Sequence, residues 1–455
     1  MNEIVYLEDI CKIQGRVGWK GYTVEDLTDK GPWVIGANDI TNYHQLDLSK
    51  AKHITREKFE ESPEIKIEIN DILIVKVGNT IGKVAIIKDD IGEACINPNT
   101  VLLKKCKIDP YYLYLVLISP YGQSFLKNNS SASAQPALNQ TTLKKMQIYL
   151  PSSDEQKRVG NLVRFVNNKI ELNHKINAEL EAMAKTLYDY WFVQFDFPMT
   201  KEQADEIGKP AAAGKPYKSS GGKMVYNKEL KREIPEGWEV YNLDEFGSFK
   251  NGINYDPSDP GNTNAQIINV RDISSSSIFI STNELEEIQL KEKEVKKYLV
   301  SENSIIIARS GIPGATRLIN DYKENTIFCG FIICLNVEDI NLKNILFFYL
   351  KLIERAMTNQ SAGTIMKNVS QGTLKEIKIA LPKDFKNNII NKFNAFINPI
   401  FQKISLVNKE NQQLTELRDW LLPMLMNGQV TLRQAQGKPE KLDMAAEPNS
   451  KYKSS

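Results

Sequence analysis

The sequence predicts an α+β protein built from two copies of one mixed domain, each followed by a long helix. Three observations support this prediction. Sequence motifs recur in the same order about 230 residues apart, each copy mixes short β-like runs with an apolar helix, and each copy ends in a long heptad pattern. This period is far longer than that of a solenoid repeat, so the repeated unit is a whole domain.

The repeated motifs keep their order along the chain. Residues 5–10 return as 240–246, residues 34–40 as 267–273, residues 77–82 as 309–314, and residues 143–151 as 374–382. Two copies of one domain present two similar binding surfaces.

Within each copy, short apolar runs punctuated by Gly, Asn and Pro favour β-strands. The strand-like runs are 65–69, 72–77 and 84–87 in the first copy, and 304–308 and 327–335 in the second. Apolar helices follow at 109–125 and 342–357, then polar loops at 128–139 and 358–370, then a strand ending in Leu-Pro. Strands, loops and one helix per copy indicate an α+β domain.

Both long helical patterns carry apolar residues at heptad positions a and d, which is typical of a coiled coil. The residues expected to pair are Val163, Ile170, Asn177, Leu180 and Leu187 in the first pattern, and Ile397, Ile404, Asn411, Leu414 and Leu421 in the second. Asn177 and Asn411 fall at matching a positions. A buried asparagine there fixes register when it meets another asparagine; the alternative is that each faces solvent.

Composition indicates a protein of several soluble domains. The chain has 455 residues, 42% of them hydrophobic and 25% charged. The first residues lack the pattern of a signal peptide, and no window is apolar enough to span a membrane, so we expect no membrane partner. The cysteines are odd in number and scattered (Cys11, Cys95, Cys106, Cys329 and Cys334), which favours reducing cytoplasm. A net charge of +2 says little about nucleic acid.

No catalytic or metal-binding motif is visible. The three histidines, His44, His53 and His174, all lie in the first half, so no duplicated catalytic triad exists. Residues 208–215 resemble a phosphate loop only loosely, because Pro216 stands where Ser or Thr binds magnesium. The Cys-x4-Cys pair of the second half has no histidine near it, so we expect no metal site.

Taken in order, these motifs resemble the specificity subunit of Type I restriction–modification enzymes. The stretches that carry the resemblance are 308–314, 374–382, 176–192 and 234–238, and the match extends over nearly residues 1–427. The resemblance implies two target-recognition domains, each reading half of a split double-stranded DNA site. It also implies that the two helices pack antiparallel as a spacer and hold two modification (methyltransferase) subunits.

The resemblance implies no cofactor in this chain. S-adenosylmethionine would serve the modification subunits, and ATP and Mg²⁺ the restriction (endonuclease and translocase) subunits, which join through the complex. The implied organisation is a first recognition domain at 1–152, a central spacer helix at 153–195, a flexible linker at 196–233, a second recognition domain at 234–383, a C-terminal spacer helix at 384–427 and a disordered tail at 428–455.

Polar loop residues are the candidates for base contacts, because Asn and Gln pair with adenine and Arg with guanine. They are Asn38, Asn42, Asn79 and Gln135 in the first copy, and Asn254, Arg271, Arg309, Lys367 and Asn368 in the second. The alignment of residues 77–82 with 309–314 sets Val77 against Arg309, so the first copy lacks that arginine. The alternative function is a twin-domain scaffold that binds proteins and not DNA.

Overall fold

A computed structural model describes residues 3–15, 21–41, 44–129, 137–360, 368–384 and 388–426. The chain divides into two compact units. Unit 1 comprises Met1–Glu171 with Asn411–Ser455, and unit 2 comprises Leu172–Glu410. The predicted tail at 428–455 lies outside the described residues.

Unit 1 contains the first copy. Its strands are β1 (Glu3–Tyr6), β2 (Lys12–Gln14), β3 (Leu27–Ile35), β4 (Lys52–Ile54), β5 (Ile72–Val75), β6 (Val84–Ile86), β7 (Ala94–Ile96), β8 (Thr100–Lys104) and β9 (Gln147–Leu150). Its helices are α1 (Leu7–Ile10), α2 (Arg56–Glu60), α3 (Pro110–Ile118), α4 (Pro120–Asn128), α5 (Gln140–Lys144) and the first part of α6 (Ser153–Tyr188).

Unit 2 contains the second copy. Its helices are α7 (Lys201–Glu206), α8 (Val270–Ser274), α9 (Glu292–Lys297), α10 (Lys343–Gln360), α11 (Gln371–Lys375) and most of α12 (Asn388–Met426). Its strands are β10 (Met224–Asn227), β11 (Arg232–Pro235), β12 (Trp238–Asn242), β13 (Gly247–Asn251), β14 (Thr263–Ile268), β15 (Phe279–Ile280), β16 (Glu286–Leu290), β17 (Ser304–Ala308), β18 (Thr316–Ile319), β19 (Thr326–Phe328), β20 (Ile332–Val337) and β21 (Lys378–Pro382).

The two copies share their sheet topology, except that unit 2 adds β15 at the edge of its largest sheet. In unit 1 the sheets run β2-β8-β5-β6, β4-β3-β7 and β1-β9, and in unit 2 they run β13-β20-β17-β18-β15, β16-β14-β19 and β12-β21. The central strands β5 and β17 are wholly buried, in agreement with the apolar run of β5 and the three consecutive isoleucines of β17. The predicted α+β duplication is confirmed.

The sequence also sets the helix boundaries. Pro110 occupies the first turn of α3, and Asp109 caps that helix by accepting from the Tyr112 N–H at 2.8 Å. Matching caps open α5 and α11, where Asn139 accepts from the Thr141 N–H and Ser370 from the Thr373 N–H. The run expected as a strand at 65–69 is different, because Pro63 starts a 3-10 turn over Pro63–Ile65.

The two long helices run antiparallel where they meet inside each unit. In unit 1, Arg418 donates to Oδ1 of Asn167 at 3.1 Å. In unit 2, Asn173 donates to Glu410 at 2.8 Å and Asn177 to Asn408 at 2.7 Å, so partner numbers fall along α12 as they rise along α6. Asn177 thus meets an asparagine three residues before Asn411.

The ten residues expected to pair along the helices avoid the exposed faces. Val163, Asn177, Ile397, Ile404 and Asn411 are buried, and Ile170, Leu180, Leu187, Leu414 and Leu421 are half-buried. Within each helix they lie seven or three residues apart, which is the spacing of heptad positions a and d.

The segment at 196–233, expected to be a flexible linker unable to contribute to a core, is instead folded. Phe197 is fully buried and stacks on Trp238 at 5.4 Å between ring centroids and on Tyr217 at 4.7 Å. Asp196 links the start of this segment to its middle, because its carboxylate accepts hydrogen bonds from the N–H and the hydroxyl of Ser219, each at 2.7 Å. A few aromatic anchors therefore order a segment whose average composition is polar.

Candidate nucleic-acid interface

A loop position after the central strand is held identically in both copies. In unit 1, β5 is followed by Lys76, whose N–H donates to the Asn99 carbonyl at 2.8 Å and whose carbonyl accepts from the Leu138 N–H at 2.7 Å. In unit 2, Arg309 follows β17; its N–H donates to the Phe331 carbonyl at 2.8 Å, and its carbonyl accepts from the Val369 N–H at 2.9 Å.

This hydrogen-bond pattern makes Lys76 the counterpart of Arg309. The alignment that placed Val77 opposite Arg309 is therefore wrong by one residue. The cause is loop length. The turn closes with the Val75 N–H on the Lys83 carbonyl in unit 1 and with the Ala308 N–H on the Ala315 carbonyl in unit 2, so the first loop is one residue longer. Matching Gly82 with Gly314 without a gap shifted the residues before the loop by one position, and the first copy does have a cation here.

A second pair of positions lies after β3 and β14. The Gly36 N–H donates to Asp39 at 2.8 Å, and the Asn269 N–H donates to Asp272 at 2.7 Å, so the two turns have the same form. Asn38 and Arg271 therefore occupy equivalent exposed places. For this pair the structure agrees with the sequence alignment.

Backbone hydrogen bonds join these loops along one edge of each unit. The Asn97 N–H donates to the Ile35 carbonyl at 2.9 Å, and the Cys329 N–H to the Ile268 carbonyl at 3.0 Å. The loops after β3, after β5 and before β8 therefore meet, as do their counterparts in unit 2. We call this the loop edge; it carries Asn38, Lys76 and Asn99 in unit 1, and Arg271, Arg309 and Phe331 in unit 2.

Two further predicted residues lie beside the loop edge of unit 2. Asn254 is exposed and packs on Gly330, where a Cβ would lie only 1.8 Å from Oδ1 of Asn254. A larger residue at position 330 would displace the Asn254 side chain. Asn368 is exposed and precedes the Val369 N–H that bonds Arg309. Asn79 is exposed in the loop after β5, and Asn42, Gln135 and Lys367 lie outside the described residues.

The cations of the loop edge differ in availability. Arg309 is exposed and forms no ion pair with the described residues. Arg271 contacts Glu286 at 2.9 Å with 64% of its side chain exposed, and such a surface pair is weak enough to exchange for another anion. Burial lowers the pKa of Lys76, so an approaching phosphate or base acceptor would favour its charged form.

We also searched the described residues for metal ligands, disulfides and membrane-spanning helices. In them no group of three or more His, Cys, Asp and Glu side chains is arranged to hold a metal ion. The five cysteines are free thiols. Across the same residues, no helix combines the length and apolar character needed to cross a membrane.

Comparison with known proteins defines the class to which this fold and loop edge belong. The family described as Type I restriction modification DNA specificity domain matches residues 2–182 and again residues 235–416. The chain belongs to this family, and the resemblance read from its motifs is confirmed. Each of the two matches covers one copy of the duplicated domain together with most of its long helix.

Two curated relatives extend over most of the chain. The Type I restriction enzyme MjaIX specificity subunit of Methanocaldococcus jannaschii is 25% identical over 412 residues, which cover 89% of this chain and 87% of the relative. The HindI specificity subunit of Haemophilus influenzae is 24% identical over 475 residues, covering 90% and 99%.

The fold has a counterpart among solved structures. The S subunit of a Type I restriction–modification system from M. genitalium aligns with a TM-score of 0.52 at 15% identity, over 94% of this chain and 96% of that one. The likeness is one of fold.

Proposed function

We propose that this chain is the non-catalytic DNA-recognition subunit of a Type I restriction–modification complex. Each loop edge reads one half of a bipartite double-stranded DNA site. The two long helices hold two modification subunits, and restriction subunits join through the complex. The observation that carries this proposal is the duplicated loop edge, in which equivalent backbone positions present different polar side chains.

The chemistry of the loop edge suits base reading. Arg309 has the guanidinium fork that pairs with guanine O6 and N7, and Asn38 has the amide that pairs with adenine N6 and N7. The backbone beneath each loop is fixed by hydrogen bonds, so little ordering cost remains on binding. Two such readers in one chain raise affinity through effective concentration, which agrees with a net charge of only +2.

The long helices carry apolar side chains that unit 1 and unit 2 leave exposed. In unit 1 these are Phe165, Leu417 and Trp420, and in unit 2 they are Leu172, Met183, Phe396 and Leu406. We interpret this recurrence of exposed apolar groups along the helices as a protein-binding surface. Each unit thus offers its own helical surface to a modification subunit. S-adenosylmethionine, ATP and Mg²⁺ belong to the partner subunits in this proposal.

The test combines methylation mapping with binding. The chain is co-expressed with its modification subunit, methylated adenines are mapped, and residues 1–150 are then exchanged for those of another family member. One half of the methylated sequence should change and the other should remain. A change in both halves at once would contradict two independent readers.

Binding of the assembled complex to the mapped duplex should weaken steeply with salt, because phosphate contacts release counterions. A protein-binding scaffold would show no such binding. Lys76→Ala should weaken this binding. Lys107→Ala, which removes an exposed charge beyond the opposite end of β8, is its matched control. It should leave binding unchanged.

A further inference from the structure

Phe331 is an exposed aromatic residue on an otherwise buried and tightly held stretch of unit 2. Its side chain is 61% exposed, whereas Phe328, Cys329 and Ile332 beside it are buried. The backbone of this stretch is held by hydrogen bonds. The Ile253 N–H donates to the Phe328 carbonyl at 3.0 Å, and the Arg309 N–H donates to the Phe331 carbonyl. The ring therefore stands out from a rigid support beside Arg309, which forms no ion pair with the described residues.

Asn99 occupies the same place in unit 1. Its carbonyl accepts from the Lys76 N–H as the Phe331 carbonyl accepts from that of Arg309. Its own N–H donates to Oδ1 of Asn97 at 3.0 Å, which fixes the turn before β8. The Asn99 side chain is exposed and forms no hydrogen bond with the described residues. One backbone position thus carries an amide in one copy and a phenyl ring in the other.

These two side chains match two different base edges in the major groove. An asparagine amide pairs with N7 and N6 of adenine, and a phenyl ring makes apolar contact with the C5 methyl of thymine. Exposed apolar surface on a polar edge gains free energy only when another apolar group covers it. The thymine methyl is the apolar group that a DNA base offers in that groove.

We propose that Asn99 and Phe331 are equivalent specificity positions, with Asn99 reading an adenine in the half-site of unit 1 and Phe331 reading a thymine methyl in the half-site of unit 2. The inference rests on the proposed function and deepens it. Lys76 is bonded through its backbone N–H to Asn99, and Arg309 in the same way to Phe331. These two cations read the base pairs next to those read by Asn99 and Phe331. The two copies differ in target because the same two places hold different side chains.

The test removes single groups from the DNA. Once the two half-sites are mapped, duplexes are made in which each thymine of the unit 2 half-site is replaced in turn by uracil, which lacks only the methyl. The complex with modification subunits should bind one of these duplexes about 4-fold more weakly, since a buried methyl is worth about 0.8 kcal/mol. With Phe331→Ala, the uracil and thymine duplexes should bind equally.

The contact proposed for the Asn99 amide is tested in the same way. In the unit 1 half-site, 7-deazaadenine removes the N7 acceptor, and one such replacement should weaken binding about 10-fold, within the range expected for a bidentate base contact. Asn99→Ala should abolish that difference while leaving the uracil effect in the other half-site intact. Each variant is therefore the control for the other. Phe331→Leu keeps an apolar side chain and should retain part of the methyl effect.

Several results would overturn the inference. A unit 2 half-site without thymine would do so, as would a uracil penalty that is the same in the wild type and in Phe331→Ala. Loss of all specificity in Phe331→Ala with unchanged thermal stability would assign the ring to insertion between bases instead. Absence of any sequence-specific DNA binding by the wild-type complex would refute the proposed function itself, which is a distinguishable result.

Discussion

The side chain of Asn177 on α6 donates a hydrogen bond to Oδ1 of Asn408 on α12 over 2.7 Å. The two partners are unequal: Asn177 is 7% exposed and its own Oδ1 has no hydrogen-bond partner among the described residues, whereas Asn408 reaches solvent. The pair is a polar contact between two helices whose a and d positions are mostly apolar, and a buried asparagine in such a place is the kind of residue that specifies helix register.

This inequality predicts an asymmetric response to mutation. Asn408→Ala should destabilise the protein by about 1–3 kcal/mol, because the buried amide of Asn177 loses its partner. Asn177→Leu should cost less, because Asn408 then turns to water. The free energies of unfolding in denaturant compare the two, with Lys403→Ala at an exposed place on α12 as the control. Equal losses would mean that the hydrogen bond is not what stabilises this contact.

The equivalence of Lys76 and Arg309 predicts separable effects on DNA reading. Each alanine variant should alter only the half-site read by its own unit, at about 1–3 kcal/mol for a lost base contact. Methylation mapping in cells that supply the modification subunit measures both half-sites at once. The exposed Lys228→Ala, outside the loop edge, should leave both unchanged. If Lys76→Ala were silent, Lys76 would not be the functional counterpart of Arg309.

The helix pair predicts how the unread gap in the target responds to helix length. Four residues inserted within 173–177 of α6, matched by four within 408–410 of α12, add about 6 Å and close to one turn. The half-sites should persist while the gap grows by about two base pairs at 3.4 Å each. A two-residue insertion in α6 rotates the seam by about 200° and should abolish methylation. An unchanged gap with activity retained would show that the helices do not set the spacing.

The folded segment before the second copy predicts a stability cost at Phe197. Because this ring is fully buried against Trp238 and Tyr217, Phe197→Ala should destabilise the protein by about 3–5 kcal/mol. Tyr226→Ala, at a side chain 62% exposed in the β10-β11 hairpin, is the control and should change little. A cost near zero would restore the view of residues 196–233 as a passive linker. Thermal and denaturant unfolding both report the difference.

His44 predicts acid sensitivity. Its Nδ1 accepts from the Val84 N–H at 3.1 Å, and burial, with Lys127 and Lys83 nearby, lowers its pKa below the usual 6.5. The folded state therefore holds the neutral ring. The stability that this group contributes is present above pH 6.5 and lost as pH falls through its folded-state pKa.

His44→Asn should flatten that loss, because asparagine tolerates the positive φ of 61° and keeps an acceptor. Unfolding free energies measured between neutral and mildly acidic pH compare it with the wild type. His174→Asn, at an exposed place on α6, should track the wild type. Parallel curves for all three proteins would remove His44 as the source of the pH dependence.

The sequence predicts the parts of the fold that depend on regular spacing. Heptad residues such as Val163 and Ile404 lie on the buried face because a helix repeats its face every three to four residues. The strand at 304–308 follows from the isoleucine run at 305–307, and all five of its residues are buried. The turns holding Asn38 and Arg271 could be aligned because both copies keep the same three-residue spacing between the turn's first N–H and its aspartate.

The features that were missed depend on contacts rather than spacing. Lys76 was overlooked because the loop after it is one residue longer than the loop after Arg309, and only the cross-strand hydrogen bonds reveal the correct register. Asn99 and Phe331 share no residue type, so no alignment of motifs could pair them. The order of residues 196–233 depends on Phe197, Tyr217 and the distant Trp238, which average polarity conceals.

The packing of Phe197 on Trp238 also bears on how such proteins can be recombined. The second recognition domain does not begin structurally at residue 234, because the preceding segment is part of its core. A gene fusion joined at that point would separate the two halves of one aromatic cluster and give a chimera with a mismatched interior. A crossover inside α6, before Phe195, would carry the segment and its docking site together. A recombination point that exchanges the second recognition domain intact therefore lies before residue 195, and not at residue 234 where the sequence repeat begins.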